Sequence, residues 1–525
     1  MTTQGGFATE HCYTADILVI GGGLAGCWAA LTAARSGAKT RLLEKGYCGT
    51  SGVAAAGGPG HWWIPPLPGA RENAVTERLR MAAGLGDASW MHRIIDRTWR
   101  TLPDIAAYYD YTPDDEGRIR INALRGPEYL RALRDFCIAA GVRIVDHSPV
   151  LGLLRGTHGD VVGAYGVHRQ APGGVWEARA RATILATGGC AFRSRLLGAM
   201  NNTGDGHLMA AELGASFSGM EFSSVFTVAP ARTTMTRTMI YSFATYMDAN
   251  GHEISRPTVP DGNVGLALAL ERGPVWCDLS HTPEDIRRQL PQISPNVMLP
   301  FRRLGIDPFS ERFRIDLIGE GTIRGVGGLH VAGEACESEV TGLFIVGDVA
   351  SRENVTGPIS GGGAVNAAWA LTSGCLAAEG ALDYFPTGHT KNAERVGTQP
   401  ASEPLRRQDA WSTAEDVVCA EMLDAAHQLL RREANLLRSQ GALDAAWQET
   451  RDASVPPDPH SWQRTRETQA TLAVARWCIA SASCRQESLG MHKRADAPDT
   501  SAPPPYRVRT GGIDEIWTRK EIMTV

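Results

Sequence analysis

The stretch Ala15–Glu44 constrains this chain more than any other. Ala15-Asp16-Ile17-Leu18-Val19-Ile20 is a short apolar run rich in β-branched residues, the pattern of a strand buried in a parallel sheet. It ends in Gly21-Gly22-Gly23-Leu24-Ala25-Gly26, after which Cys27-Trp28-Ala29-Ala30-Leu31 opens a helix and Thr40-Arg41-Leu42-Leu43 forms a second strand closing on Glu44. Gly21, Gly23 and Gly26 fit the G-x-G-x-x-G spacing: a tight turn, a backbone that admits a pyrophosphate, and close packing of helix on strand. The helix start at Leu24 and Ala25 offers free N–H groups to phosphate, and Glu44 stands where an acid binds a ribose diol. A lone glycine fingerprint would be weak; strand, glycines, helix, strand and acid in sequence predict a dinucleotide site. The following Lys45–Gly58 segment, with Ser51, Gly52, Ala56, Gly57 and Gly58, is small and extended. That suits a backbone lying along a large flat ring, and favours a flavin over a nicotinamide.

Two further glycine clusters recur downstream, part of a total of 58 glycines in 525 residues, against roughly 7% in ordinary proteins. Ala182–Leu185 reads as a strand ending in Ala186-Thr187-Gly188-Gly189, and Thr203-Gly204-Asp205-Gly206 opens a helix. Gly342–Asp348 reads as another strand, and Ser360-Gly361-Gly362-Gly363-Ala364-Val365 opens a helix expected to reach about Gly374. Asp348 can hold a ribityl hydroxyl, and the N–H groups near Gly363 can stabilise negative charge on a reduced flavin.

The rest of the composition excludes classes. The net charge of −5 comes without a basic tract, which gives no footprint for nucleic acid. There is no long apolar run and no N-terminal basic-then-apolar signal, so the expectation is a cytoplasmic protein with no membrane span. The eleven cysteines contain no C-x-x-C, and no metal is expected.

On these motifs the chain resembles the FAD-dependent flavoproteins of the succinate dehydrogenase/fumarate reductase, L-aspartate oxidase and adenylylsulfate reductase superfamily, as an atypical member. Gly327-Gly328-Leu329 and Cys484-Arg485-Gln486-Glu487-Ser488-Leu489-Gly490-Met491-His492 add to the likeness. The resemblance implies an α/β protein with a Rossmann-like FAD-binding domain in two parts (1–219 and 323–395). An α+β capping domain is inserted at 220–322, and a C-terminal helical domain and tail occupy 396–525. Within the cap, Met247–Glu253 reads as a hairpin turn at its Asn-Gly and Pro257–Gly262 as a loop. Ala414–Arg438 and Ser461–Ser483 show helical spacing, and Ala497–Pro505 reads as a surface strap. To the cofactor set above the resemblance adds Val150.

Departures from the family pattern bear on chemistry. The position of the family's flavin-linking histidine carries Ser51, so the FAD is expected to be noncovalent. The family's dicarboxylate segment corresponds to Ser223–Val225, its acid arginine to Ile240–Tyr241 with Arg237 nearby, its second histidine to Ile323 and its second arginine to Pro358–Ile359. Reduction of fumarate needs such cations and a proton donor, so succinate and fumarate are not the expected substrates. The catalytic candidates are Tyr241, Arg324, Arg352 and Glu221. His61, Trp62 and Trp63 are expected beside the ring; Arg302, Arg303, Glu353, Asn354, His207 and Glu433 carry a structural reading more readily than a functional one. The expected activity is transfer of a hydride or electron pair between FAD and a polar small-molecule substrate. Its rivals are a subunit working with an iron–sulfur partner as in adenylylsulfate reductase, an O2-using oxidase or monooxygenase, and a flavin-binding protein without catalysis.

Overall fold

A computed structural model describes residues 11–111, 113, 116–170, 175–223, 226–234, 238–254, 263–384, 393–397, 423, 426, 436–453, 462–497 and 505–523. The central sheet is built on His11–Ile20, which runs parallel to Thr40–Leu43 on one side and to Val175–Leu185 on the other. Arg143–Val145 extends the first side in parallel, and Leu343–Ile345 pairs in parallel with the C-terminal half of Val175–Leu185. The N-terminal half of that long strand pairs instead with Val161–Val167, which pairs antiparallel with Val150–Arg155. A doubly wound parallel sheet therefore carries an antiparallel flap. Ile17–Ile20 are at most 3% exposed, and each such side chain contributes about 1.5–3 kcal/mol on burial.

Helices Leu24–Arg35 and Gly362–Asp383 pack on this sheet and on each other. Their approach is close enough that a Cβ at Gly374 would stand 2.5 Å from the Ala25 carbonyl oxygen. The second helix runs well past the expected end at Gly374, because small residues continue on its packed face and all of Ala377, Ala378 and Ala381 are buried.

Between these parts, residues 226–319 form a separate antiparallel sheet in the order Phe226–Pro230, Phe313–Gly319, Trp276–Asp278, Thr245–Met247. Helices Val264–Arg272, Glu284–Ile293 and Pro295–Leu304 accompany it. Asn250-Gly251 makes the turn between Met247 and Glu253, which pair antiparallel, with Gly251 at φ +85°. Pro257–Gly262 and most of Ala414–Arg438, including Glu433, lie outside the described residues.

The C-terminal region holds helices Gln440–Asp452 and Trp462–Cys484. It also holds a hairpin, Tyr506–Gly511 with Trp517–Ile522, whose first strand pairs with Phe217–Ser218. Sequence reading did not find that hairpin, and it ties the end of the chain to the segment leading into the inserted sheet. Of the expected strap, 498–504 lie outside the described residues. No helix among the described residues is long and apolar enough to cross a membrane.

Candidate active site

A cavity of about 900 Å³ runs from the glycine turn at Gly21 to the helix start at Gly362. Its inner wall is backbone and small residues. Gly26 cannot accept a side chain, because a Cβ there would lie 1.8 Å from the Gly21 carbonyl oxygen; a Cβ on Gly23 would meet nothing nearer than 3.9 Å. The turn is thus locked from behind by Gly26 and open toward the cavity at Gly23. Glu44 is 6% exposed; its Oε2 accepts from the Gly22 N–H at 2.6 Å and its Oε1 from the Gly46 N–H at 2.7 Å and the Ser51 hydroxyl at 2.8 Å. That carboxylate organises both flanking turns at the mouth of the first strand pair. At the far end, Gly362 and Gly363 have open space where a Cβ would sit, at the N-terminus of a 22-residue helix. A glycine-floored slot, an oriented acid and a free helix start are what an FAD needs for its pyrophosphate, ribose and ring, and the residues fit that group.

Of the expected cofactor residues, Gly21, Gly23, Leu24, Ala25, Glu44, Lys45, Ser51, Gly52, Ala56, Gly57, Gly58, Val150, Ala186, Thr187, Gly188, Asp205, Asp348 and Gly363 line the cavity. Gly26, Thr203, Ser360, Ala364 and Val365 stand behind its wall. The Thr203 hydroxyl accepts from Lys45 Nζ at 3.0 Å and donates to Asp205 at 2.7 Å. The Ser360 hydroxyl accepts from the Gly362 N–H at 3.3 Å, the Ala364 carbonyl from the Trp62 N–H at 3.0 Å, and Val365 is buried. Burial works against the Lys45 charge, but Asp205 and Glu467 outweigh it and hold its pKa above the ordinary value.

The catalytic candidates separate sharply. Arg324 lines the cavity, its guanidinium paired with the fully buried Glu320. Arg352 does not reach the cavity: it is 1% exposed, paired with Asp348, and donates to the carbonyls of Ile323 at 3.1 Å and Gly325. It fixes two turns of the wall rather than touching a ligand. Burial raises the Asp348 pKa, against the pull of Arg352. Glu221 is also displaced from the expectation. It is fully buried away from the cavity, 2.9 Å from Arg485 Nε, with its pKa pushed up by burial. Tyr241 packs in the core of the inserted sheet, where burial lifts its pKa well above normal; it is no proton donor to the cavity.

His61, Trp62 and Trp63 likewise lie behind the wall. His61 Nε2 is 3.3 Å from the Tyr129 hydroxyl and burial lowers its pKa to about 3, while Trp63 stacks on Trp99 at 4.0 Å. His207 is buried and neutral, with a pKa lowered to about 4 by burial. Glu353 is buried and takes the Ser218 hydroxyl, and Arg302 and Arg303 are exposed away from the cavity.

Sequence reading missed the opposite wall. Thr238, Gln289, Gln292, Ser294 and Asn296 line it from the inserted sheet and its helices, which therefore cap the slot. Asn296 Nδ2 donates to the Ala56 carbonyl at 3.1 Å, a direct bond from cap to flavin-side wall. A third side comes from Tyr109, Tyr111, Arg120 and Arg125. Arg125 precedes Gly126-Pro127 at a helix start, its backbone N–H bonded to the Tyr109 hydroxyl at 2.8 Å. A helix-opening proline at Pro127, shortly after the spaced arginines Arg118, Arg120 and Arg125, was the available signal.

A Rossmann-type slot under an inserted cap defines a flavin-dependent oxidoreductase. Family models agree: FAD dependent oxidoreductase matches residues 16–207, FAD binding domain 112–363, and Fumarate reductase flavoprotein C-term 420–524. The chain belongs to the flavoprotein superfamily of succinate dehydrogenase and fumarate reductase, with FAD as its cofactor. No curated protein sequence matches it. Among solved structures it is similar in fold to Escherichia coli quinol fumarate reductase FrdA (19% identity, 98% of each chain covered, TM-score 0.78). It is similar also to Mycobacterium smegmatis Sdh1 (19%, 98% of this chain and 95% of that, 0.76) and to adenylylsulfate reductase from Archaeoglobus fulgidus (18%, 98% and 96%, 0.74).

Proposed function

We propose that the chain transfers a hydride or electron pair between noncovalently held FAD and a polar organic substrate that is not a C4 dicarboxylate. The observation that carries this reading is the make-up of the cap-side wall: among the described residues its polar side chains are Thr238, Gln289, Gln292, Ser294 and Asn296, all uncharged. Such groups hydrogen-bond a hydroxyl, carbonyl or amide and have no ionic attraction for a second carboxylate. Arg324 lies across from them, with Arg120 and Arg125 on the third side, while the other lining cation, Lys45, is held by Asp205 and Glu467. A substrate with one anionic or strongly polarised group toward Arg324 and a neutral hydrogen-bonding end toward the cap fits this division. Bound FAD supplies the two-electron redox centre. The chain orients the substrate, excludes water through the Asn296 contact, and offers Arg324 as the electrostatic partner of charge developing on the substrate. Noncovalent attachment is supported by Ser51, whose hydroxyl is committed to Glu44.

An iron–sulfur partner stays a second form of the reading. The described residues contain no cluster of metal-ligating side chains that could hold such a centre.

The test is anaerobic bleaching of the bound flavin by a panel of hydroxy acids, amino acids, amides and amines, with succinate as the control. Bleaching by a member of the neutral or monoanionic set is expected, slowed about 10²-fold by Arg324→Leu. Succinate as the best reductant would overturn the reading.

A further inference from the structure

Behind Arg324 lies an arrangement of charges that binding a substrate does not require. Glu320 and Arg324 pair within one turn, and Asp348 and Arg352 pair in the same way after the strand Leu343–Ile345. Arg352 joins the two turns through the Ile323 and Gly325 carbonyls. Arg324 and Asp348 reach the cavity, while Glu320 and Arg352 sit behind it at 0% and 1% exposure. Two acids and two guanidinium groups leave the cluster without net charge.

The charged groups shown to act on Glu320 among the described residues are Arg324 on its own turn and Asp348 from the neighbouring one, which is itself paired with Arg352. Its Oε2 is engaged by Arg324. Its Oε1 is buried with no hydrogen-bond partner among the described residues, so one oxygen of the carboxyl group has room for a proton that no neighbour already supplies.

Hydride transfer to FAD brings two electrons and one proton, and leaves an additional negative charge in a site of low dielectric. A neutral cluster has no spare cation to meet it. We propose that Glu320 takes up a proton when the flavin is reduced, freeing Arg324 to face the new charge. The balance is two electrons and two protons. When a substrate carrying a C–H and an O–H or N–H is dehydrogenated, the C–H bond breaks and its hydride goes to the flavin. The proton lost from the heteroatom, or an equivalent one from solvent, forms the O–H bond on Glu320. Glu320 is thus a positioning and proton-holding residue that acts through Arg324. The inference rests on the flavin and not on the choice of substrate, so it stands or falls apart from the reading above.

The experiment uses the holoprotein and chemical reduction, with no substrate. Each proton taken up with two electrons moves the midpoint potential by about 30 mV per pH unit. From about pH 6 to 9 the protein is expected to follow about 60 mV per pH unit, falling to about 30 in Glu320→Gln. In reduced-minus-oxidised infrared difference spectra, a protonated-carboxyl stretch is expected to appear on reduction and to be lost in that variant. A shallow slope in the unmodified protein, or absence of the band, overturns the proposal. So does a steep slope or a band that survives in Glu320→Gln, which would assign the proton to Asp348 or the flavin. If Glu320→Gln fails to retain FAD, the band and slope of the unmodified protein, with Asp348→Asn as the second variant, decide: a band lost in Asp348→Asn contradicts the assignment.

Discussion

The two long walls of the cavity are built by different means. The flavin-side wall is backbone: Gly21, Gly23, Gly52, Gly57 and Gly363 bring the chain close to the cofactor, and behind them buried pairs such as Asp348 with Arg352 fix the turns. The cap-side wall is side chain: Gln289, Gln292 and Asn296 belong to two short helices with an internal proline each, Pro291 and Pro300, and Ser294 to the junction between them. A wall made of backbone admits few residue types, since a Cβ at Gly26 or Gly21 would strike main chain at 1.8 Å or 2.4 Å. A wall made of side chains admits many. The constrained surface is the one that fits the cofactor, and on the proposed reading substrate choice falls to the permissive one.

This contrast can be broken by substitution. Arg352→Leu leaves Asp348 without its partner in a buried turn, and a loss of about 3–5 kcal/mol in unfolding free energy is expected from denaturant titration, with FAD lost on purification. Gly26→Val should cost about 3 kcal/mol and likewise yield colourless protein, because the clash is with main chain and cannot relax through a rotamer. Substitutions at Gln289 or Gln292 should leave FAD content unchanged. Equal FAD loss from either wall would refute the division.

Acid should reveal the same asymmetry. His61 and His207, both on the flavin side, are buried with pKa values lowered by burial to about 3 and about 4. The unfolded chain protonates them near the ordinary value of about 6.5. Their contribution is therefore complete above about pH 6.5 and is lost as pH falls toward the folded values, at about 1.4 kcal/mol per pH unit for each. Hydrogen exchange at falling pH should show the flavin-side helices loosening before the cap. The smallest effect is expected at the latch. Asn296→Ala removes one hydrogen bond to the Ala56 carbonyl, worth about 1 kcal/mol. Quenching of the flavin by iodide should then rise about fivefold with little change in stability.

The same asymmetry explains what could be read in advance. Glycine spacing, buried strand runs and Glu44 betray the cofactor slot because close backbone approach leaves its mark on residue type. Partnership at a distance leaves none. Glu221 reads as an acid at the cap entry that either binds a ligand or salt-bridges across the hinge, and nothing local names its partner, Arg485, 264 positions later and 2.9 Å away. Arg352 reads as a cavity cation until its burial under Asp348 is seen. Tyr241 falls at the family's acid position in sequence but inside the cap core in space. The hairpin Tyr506–Ile522 escaped because its strands mix charge and apolar residues. Their pairing with Phe217–Ser218 spans almost 300 positions, and a cross-strand pair such as Arg509 with Glu521 at 3.5 Å is invisible until the register is known.

The most direct measurement is the FAD content of the purified protein before and after acid precipitation. One FAD per chain, released wholly into the supernatant, is the result this account predicts. A protein that binds no FAD, or whose yellow colour stays on the pellet, would contradict it.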